Sequence, residues 1–221
     1  MDETDRRGRA RRAVEGYPSG PAAPVRATAH ALAKVDDARA VVLVEGVSDQ
    51  IALETAAAGH GRDLAAERIV VVPIGGAHAI GRVLTMLTVP GRPVRLAGLC
   101  DLAEEEIVRR ALAAGGAGPA RSRADLERLG FFVCADDLED ELIRAVGVPG
   151  VQAVVAAQGD RRALRSLQGR PAWRGRDVTA QLRRFLAGGA RRKQRYARLL
   201  VEAAVDRDAL PRPLAALLTA V

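Results

Sequence analysis

The fold is decided by residues 40–49, which read Ala-Val-Val-Leu-Val-Glu-Gly-Val-Ser-Asp. The first five residues are apolar and mostly β-branched, and such a run predicts a strand that is buried on both faces. The strand ends at Glu45-Gly46, where a helical pattern begins with Ser48 as its candidate N-cap. A buried strand that leads directly into a helix is typical of a parallel α/β sheet.

The same alternation continues along the first two-thirds of the chain. Further apolar runs predict strands at 69–72, 94–100 and 130–134. Helical patterns flank the strands at 27–35, 48–58, 77–88 and 104–114. Because strands and helices alternate, we predict a doubly wound, mostly parallel four-stranded sheet with helices on both faces.

The two ends of the chain differ from this central part. The last third consists of helical patterns broken by Gly and Pro, at 151–158, 161–167, 178–186, 190–205 and 211–219. The first 25 residues are rich in Arg, Gly and Pro and lack apolar periodicity. We therefore predict an irregular basic arm at 1–25, an α/β domain at 26–147, and a helical extension at 148–221 that packs on the α/β domain.

The charge balance favours an anionic partner. The formal net charge is +7 and the sequence pI is about 10.5, and nucleic acid is the commonest partner of such a surplus. Aromatic residues make up only 3% of the chain, which argues against proteins that bind nucleic acid by stacking bases on aromatic side chains. If nucleic acid is bound, its phosphates are the expected point of contact.

The remaining composition indicates a cytoplasmic protein. Hydrophobic residues form 48% of the chain, which suits a packed core, and no uncharged apolar run reaches the length of about 18 residues that spans a membrane. The charged N-terminus does not resemble a secretory signal. The two cysteines, Cys100 and Cys134, each end an apolar run and are expected to be buried free thiols.

Acidic side chains follow three of the four predicted strands. Glu45 follows the first strand, Asp101 the third, and the segment 136–139 (Asp-Asp-Leu-Glu) the fourth, while Asp49 lies in the first turn of the helix after Glu45. Because ligands of open parallel sheets bind at the carboxyl ends of the strands, we expect these carboxylates to meet at one edge. Their repulsion requires a cation, and carboxylate oxygens suit Mg²⁺ or Mn²⁺.

The stretch from Val44 to Asp49 resembles the opening motif of Toprim domains, which occur in topoisomerases, primases, small nucleases and recombination proteins. Later segments make the chain similar to the Toprim half of OLD (overcoming lysogenisation defect) nucleases. These are Val-Pro-Ile-Gly-Gly at 72–76, Asp-Leu-Glu at 137–139 and a helix-borne lysine at Lys193. The resemblance covers about residues 38–205 and implies a Toprim-like fold. It also implies metal-dependent cleavage of DNA.

The resemblance implies a role for each matching residue. Glu45, Asp49 and Asp101 are expected to bind metal, Glu139 to hold a second metal or its water shell, and Lys193 to support the transition state. Glu45, Asp101 and Lys193 are thereby the candidate catalytic residues. A solvated basic helix face is the competing interpretation of Lys193.

The sequence departs from the family at one position. OLD-type Toprim domains usually carry Asp-x-Asp after the third strand, whereas this chain has Asp101-Leu102-Ala103. Glu104 or Glu105 would have to replace the missing aspartate. The chain also lacks the G-x-x-x-x-G-K-[ST] loop of an ATPase, so an ATPase partner would be a separate protein.

Five residues are candidates for contact with substrate. Gly46 lacks a Cβ, which would permit a tight turn and close approach of a phosphate or metal. Gly75 and Gly76 precede a helical pattern, where free N–H groups would bind a phosphate, although glycine at a tight turn explains them equally well. Arg191 and Arg192 precede Lys193 and would bind phosphates.

Three functions remain open from the sequence. The first is a Mg²⁺- or Mn²⁺-dependent nuclease acting on DNA. The second is a weakly active or inactive Toprim module that binds DNA or a partner ATPase as a regulator, for which Ala103 is the reason. The third is another nucleotide-binding α/β domain, disfavoured because no G-x-G-x-x-G follows the first strand. A homodimer is compatible with all three.

Overall fold

The structure, a computed structural model, describes residues 14–18, 20–87 and 94–221. More than half of the predicted basic arm lies outside the described residues. One sheet contains four strands: β1 (Ala40–Val44), β2 (Ile69–Pro73), β3 (Arg95–Cys100) and β4 (Phe131–Val133). Their order is β2-β1-β3-β4, and every neighbouring pair is parallel. The predicted doubly wound four-stranded sheet is confirmed, with all strands parallel.

Helices precede, separate and follow the strands. Before β4 they are α1 (Ala23–Leu32), α2 (Val47–Gly59), α3 (Ile80–Leu87), α4 (Glu105–Ala114) and α5 (Arg123–Arg128). After β4 they are α6 (Leu138–Ala157), α7 (Arg161–Gln168), α8 (Val178–Leu186), α9 (Ala190–Val205) and α10 (Arg212–Ala220). Short 3₁₀ turns occupy Val35–Asp37, Ala77–Ala79 and Leu102–Glu104. None of the described helices is both long and apolar enough to cross a membrane.

Several boundaries differ from those expected. Helix α1 starts at Ala23 instead of residue 27. Pro24 is compatible with this start because N–H groups in the first turn of a helix have no partner within the helix, so the N–H that proline lacks is not needed there. The short helix α5 was not predicted. Gly46, and not Ser48, is the N-cap of α2, so Ser48 lies inside the helix. Helix α6 contains a break at Gly147, whose φ of 74° is left-handed.

Both faces of the sheet are covered, by different helices. Strand residues alternate between the faces, so that Val42 and Val44 enter one core while Val41 and Leu43 enter the other. Helix α2 and the helices from α6 to α10 cover the first face, and helices α1, α3, α4 and α5 cover the second. The helical extension therefore shares a continuous core with the sheet.

The strand order creates a crevice between β1 and β3. From β1 the chain passes through α2 on one face to reach β2, and it then passes through α3 on the other face to reach β3. The two connections leave β1 and β3 as neighbours whose following helices diverge. Such a switch point is where open α/β sheets bind ligands, at the carboxyl ends of the strands.

Candidate active site

Glu45 and Asp101 flank this switch point. Glu45 directly follows β1 and Asp101 directly follows β3, and these strands pair in parallel, with Val42 beside Ala97. Both side chains therefore start from the same edge of the sheet. Each is partly exposed, so that the edge is open to a ligand.

Asp49 is the most deeply buried carboxylate of this edge. It lies in the first turn of α2, is only 6% exposed, and accepts a hydrogen bond from the Gly46 N–H through Oδ2 at 2.9 Å. Burial is the main cause that raises the pKa of Asp49 to about 7; the charges of Glu139 and Glu45 also raise it, and Lys193 opposes them. The fold thus holds a carboxylate where ionisation is unfavourable without a cation.

Asp101 has a similar environment. Burial raises the pKa of Asp101 to about 8, with contributions from Asp49, Glu45 and Asp137. Lys193 again acts in the opposite direction. Asp49 and Asp101 therefore repel each other and Glu45, as expected for carboxylates that share one site.

Glu139 and Lys193 complete the cluster. Glu139 lies near the start of α6, is 7% exposed, and its Oε1 is 3.4 Å from the Lys193 Nζ on α9. Burial acts to lower the pKa of Lys193, but Glu139, Asp49, Glu45 and Asp101 together raise it. Lys193 is consequently a permanent cation directed at the acidic edge.

Packing of α9 brings Lys193 to this edge. Helix α9 packs against α2 and α6, and its residues Tyr196, Leu200 and Val201 are at most 1% exposed. The buried Asp160 accepts hydrogen bonds from Tyr196 and Arg195 on the same helix. These contacts fix the rotation of α9, so the helical extension supplies part of the site.

A further ion pair was not anticipated from the sequence. Asp137 caps α6 by accepting the Asp140 N–H, and its other oxygen accepts the Arg183 Nε at 2.7 Å. Arg183 comes from α8, so this pair ties the loop after β4 to the helical extension. The acidic segment 136–139 indicated the first partner, but no local signal distinguishes Arg183 from the other arginines.

The structure separates Glu104 from Glu105. Glu104 accepts the Ala77 N–H at 3.3 Å, and burial followed by the charge of Glu45 raises its pKa. Glu105 instead pairs with Arg109 and with Arg123, whose Nε is 3.0 Å away. Of the two candidates for the missing aspartate, Glu104 is therefore the one beside Glu45.

Gly75 and Gly76 fit the turn interpretation, and Gly46 does not. The N–H groups of Gly75 and Gly76 both donate to the Glu45 carbonyl oxygen, at 2.9 and 3.2 Å, so they are not free for a phosphate. Their φ values of 78° and 107° are left-handed, which explains glycine there. Gly46 is extended, with φ of −148°, and a Cβ would make only ordinary contact with Asp49. A tight turn therefore does not explain Gly46.

The two arginines before Lys193 do not share its direction. Arg191 is exposed on the first turn of α9. The guanidinium of Arg192 lies over the Phe185 ring, 4.4 Å from its centroid. Of the basic run 191–193, the interactions described above bring only Lys193 to the carboxylates.

The residues at the edge match a divalent ion by chemistry. Carboxylate oxygens from Glu45, Asp49, Asp101 and Glu139 are hard donors, and their accumulated charge is opposed by Lys193. Within residues 14–18, 20–87 and 94–221, no three His, Cys, Asp or Glu side chains lie close enough together to hold a metal ion as they stand. The acidic edge therefore matches a divalent ion in the type of its donor atoms and in its charge.

The burial of Asp49 leads to a stability prediction for metal-free protein. Because its folded pKa is raised above the ordinary 3.8, the ionisation cost is absent below pH 3.8, grows as pH rises, and is complete above about 7. Asp49→Asn keeps the oxygen that faces the Gly46 N–H but removes the charge. We expect it to raise the free energy of unfolding at pH 8 by about 2 to 4 kcal/mol.

Urea unfolding in EDTA at pH 5 and pH 8 measures this effect, which should be larger at pH 8. Glu106→Gln removes an exposed carboxylate and should change stability by less than about 0.5 kcal/mol. A stability of Asp49→Asn equal to or below that of wild type at pH 8 would show that the ionised carboxylate is well accommodated.

Comparisons with known proteins agree with this geometry. Residues 38–101 match the family model of the overcoming lysogenization defect protein-like TOPRIM domain. The fold is similar to the C-terminal region of the Burkholderia pseudomallei OLD protein, with a TM-score of 0.55 and 20% identity over 82% of this chain and 96% of that chain. For the C-terminal region of the Xanthomonas campestris pv. campestris OLD protein, the values are 0.55, 23%, 84% and 97%. A search of curated proteins finds no match.

The matched segment contains the core of the acidic edge. It begins just before β1 and ends at Asp101, and so includes Glu45 and Asp49. The structural similarity extends beyond this segment, since it covers more than four-fifths of the chain. Residues 38–101 therefore form a Toprim domain of the OLD-like type, within a chain that has the fold of OLD protein C-terminal regions.

Proposed function

We propose that this chain is a Mg²⁺- or Mn²⁺-dependent nuclease that hydrolyses phosphodiester bonds of DNA. The observation that carries the proposal is the convergence of buried carboxylates and one lysine at the switch point of the sheet. Perturbed pKa values in a crevice are typical of sites that bind charge or carry out catalysis. The Toprim identity of residues 38–101 supports the same interpretation.

Each residue of the cluster has a role in this proposal. Glu45, Asp49 and Asp101 would hold the first ion, and Glu139 a second ion or its water shell. A divalent ion bound there would lower the pKa of water and stabilise the charge of a phosphoryl group. The Glu45 carbonyl oxygen accepts hydrogen bonds from the N–H groups of Gly75 and Gly76. These bonds fix the backbone of Glu45 and so hold its side chain at the edge.

Lys193 would act on the phosphate. Phosphodiester hydrolysis places extra negative charge on the non-bridging and leaving oxygens, and a preorganised cation stabilises that charge. The surrounding carboxylates raise the pKa of Lys193, so its ammonium stays charged at neutral pH. The arginine-rich surface, exemplified by exposed Arg191, would attract the DNA backbone.

A weakly active binding module is the second candidate. Ala103 is exposed on the 3₁₀ turn after β3 and offers no carboxylate at the position where the family resemblance implies a second aspartate. A module of this kind would bind DNA or a partner ATPase without efficient turnover. The position of Glu104 beside Glu45 favours the nuclease. The glutamate side chain is longer than that of aspartate, so Glu104 can replace the missing aspartate from the next position along the chain.

The test is cleavage of supercoiled and linear DNA with Mg²⁺, with Mn²⁺, and with EDTA. We expect cleavage with either ion and none with EDTA. Tight DNA binding without cleavage under any of these conditions would favour the binding module.

Glu104 and Glu105 form a matched pair in the same assay. Glu104→Gln removes a charge next to Glu45 and should lower the cleavage rate by about tenfold, the scale for a group that supports metal ligands. Glu105→Gln removes the same charge from a residue that is already paired with Arg109 and Arg123, and should leave the rate unchanged. Equal rates for the two variants would exclude Glu104 from the site.

A further inference from the structure

A basic pocket lies on the helical extension, and one of its lining residues, Arg192, directly precedes Lys193. Its volume is about 300 Å³, and it opens between α7, α8 and the first turn of α9. Three arginines line it, together with Ser166, Phe185 and Gly188. No carboxylate is among the lining residues, so the pocket is cationic and contains a hydroxyl donor.

Among the described residues, Arg170, Arg184 and Arg192 have no acidic partner, unlike Arg183 and Arg195. Arg183 on the same helix pairs with Asp137, and Arg195 on α9 pairs with Asp160. Within the part of the chain that the structure describes, no carboxylate lies within 4.0 Å of the pocket arginines. Their charges are therefore available to a ligand from outside the chain.

Arg192 is held in place before any ligand binds. Its guanidinium stacks over the Phe185 ring at 4.4 Å, and Nη1 lies 3.4 Å from the Phe185 carbonyl oxygen. Gly188 makes this possible, because a Cβ at that position would lie 2.5 Å from Nη1 and 2.9 Å from the same carbonyl oxygen. A fixed guanidinium loses less freedom on binding, which favours affinity.

We call Arg170, Arg184 and Arg192 the arginine pocket. We propose that the arginine pocket binds a phosphate group of DNA other than the one that is cleaved. Guanidinium groups bind phosphate through paired, charge-assisted hydrogen bonds, and three of them suit a phosphate better than a less charged ligand. The inference rests on the proposed function in taking DNA as the substrate.

The geometry of α9 links the pocket to the acidic edge. Arg192 and Lys193 are consecutive, and successive side chains on a helix diverge by about 100°. One turn of α9 therefore presents Lys193 to the carboxylates and Arg192 to the arginine pocket. A DNA backbone held at the pocket would therefore contact the same helix turn that carries Lys193.

The test is binding of a labelled DNA duplex in EDTA at several salt concentrations. Arg170 and Arg184 are exposed, so the Arg170→Ala/Arg184→Ala variant should fold normally. We expect about tenfold weaker binding, and a log–log salt slope that is shallower by about 0.9 for each phosphate that the protein no longer neutralises. The control is Arg161→Ala/Arg162→Ala, which removes two exposed arginines outside the pocket and should change affinity less than threefold with an unchanged salt slope. Equal losses of affinity in the two double variants would overturn the pocket.

A charge-neutral variant provides a second readout. Gly188→Ala should displace Arg192 and weaken DNA binding, whereas Gly169→Ala, whose Cβ would have only ordinary contacts, should not. Thermal unfolding with inorganic phosphate distinguishes a free phosphate from a DNA phosphate. Stabilisation of wild type but not of Arg170→Ala/Arg184→Ala would mean that the pocket also accepts free phosphate.

Failure of the pocket and failure of the nuclease proposal give different results. Binding that depends on the pocket without metal-dependent cleavage would reject the nuclease and retain the pocket. Metal-dependent cleavage together with equal losses of affinity in the two double variants would reject the pocket and retain the nuclease.

Discussion

Glu45→Gln is expected to lower metal-dependent DNA cleavage by about 10³-fold. A bound divalent ion contributes several kcal/mol of transition-state stabilisation, and each 1.36 kcal/mol corresponds to a factor of ten in rate. Glutamine keeps the size of the side chain, and the backbone carbonyl that accepts from Gly75 and Gly76 is unaffected. The lower rate would therefore report on the carboxylate charge.

Initial rates on supercoiled DNA at saturating Mn²⁺, with Mn²⁺ affinity from calorimetry, measure this effect. Glu106→Gln removes an exposed carboxylate that pairs with Arg110 and should match wild type in both measurements. A Glu45→Gln protein that binds Mn²⁺ and cleaves at the wild-type rate would remove Glu45 from the metal site.

Lys193→Ala is expected to lower cleavage by about 10²-fold, the scale for losing one preorganised stabiliser of transition-state charge. Affinity for DNA should change little, because the chain carries 34 basic residues. Lys193→Arg should restore only part of the rate, since a planar guanidinium does not reproduce a compact ammonium.

The metal affinity of Lys193→Ala should increase, although its cleavage rate decreases. Lys193 opposes the charge of Glu139, Asp49, Glu45 and Asp101, so its removal leaves the edge more negative. We expect Lys193→Ala to bind Mn²⁺ about tenfold more tightly while it cleaves more slowly. A protein that had merely unfolded in part would lose both properties. Wild-type cleavage by Lys193→Ala, with metal saturating, would assign Lys193 to the solvated surface.

Local patterns were sufficient for the architecture and for the identity of the acidic residues. The apolar run Ala40–Val44 must be buried on both faces, and the helical patterns on either side leave a parallel sheet as the arrangement that buries them all. Carboxyl ends of parallel strands share one edge, so Glu45 and Asp101 had to lie there once both strands belonged to the sheet. These conclusions depend only on hydrophobic periodicity and strand direction.

Other features depended on contacts between distant segments. Glu104 and Glu105 are adjacent in sequence, yet one accepts from Ala77 near Glu45 and the other pairs with Arg109 and Arg123. The difference arises because the backbone turns from a 3₁₀ turn into α4 between the two residues, which directs their side chains apart.

The tertiary structure also decided which N–H groups are free to bind a phosphate and which basic side chain faces the acidic edge. The N–H groups of Gly75 and Gly76 bond to the carbonyl oxygen of Glu45, which lies on the neighbouring strand's loop and far away in sequence. Lys193 faces the acidic edge and Arg192 the arginine pocket because packing of α9 sets its rotation. Sequence spacing defines the angle between neighbouring side chains on a helix, but the face that each one occupies depends on where the helix packs.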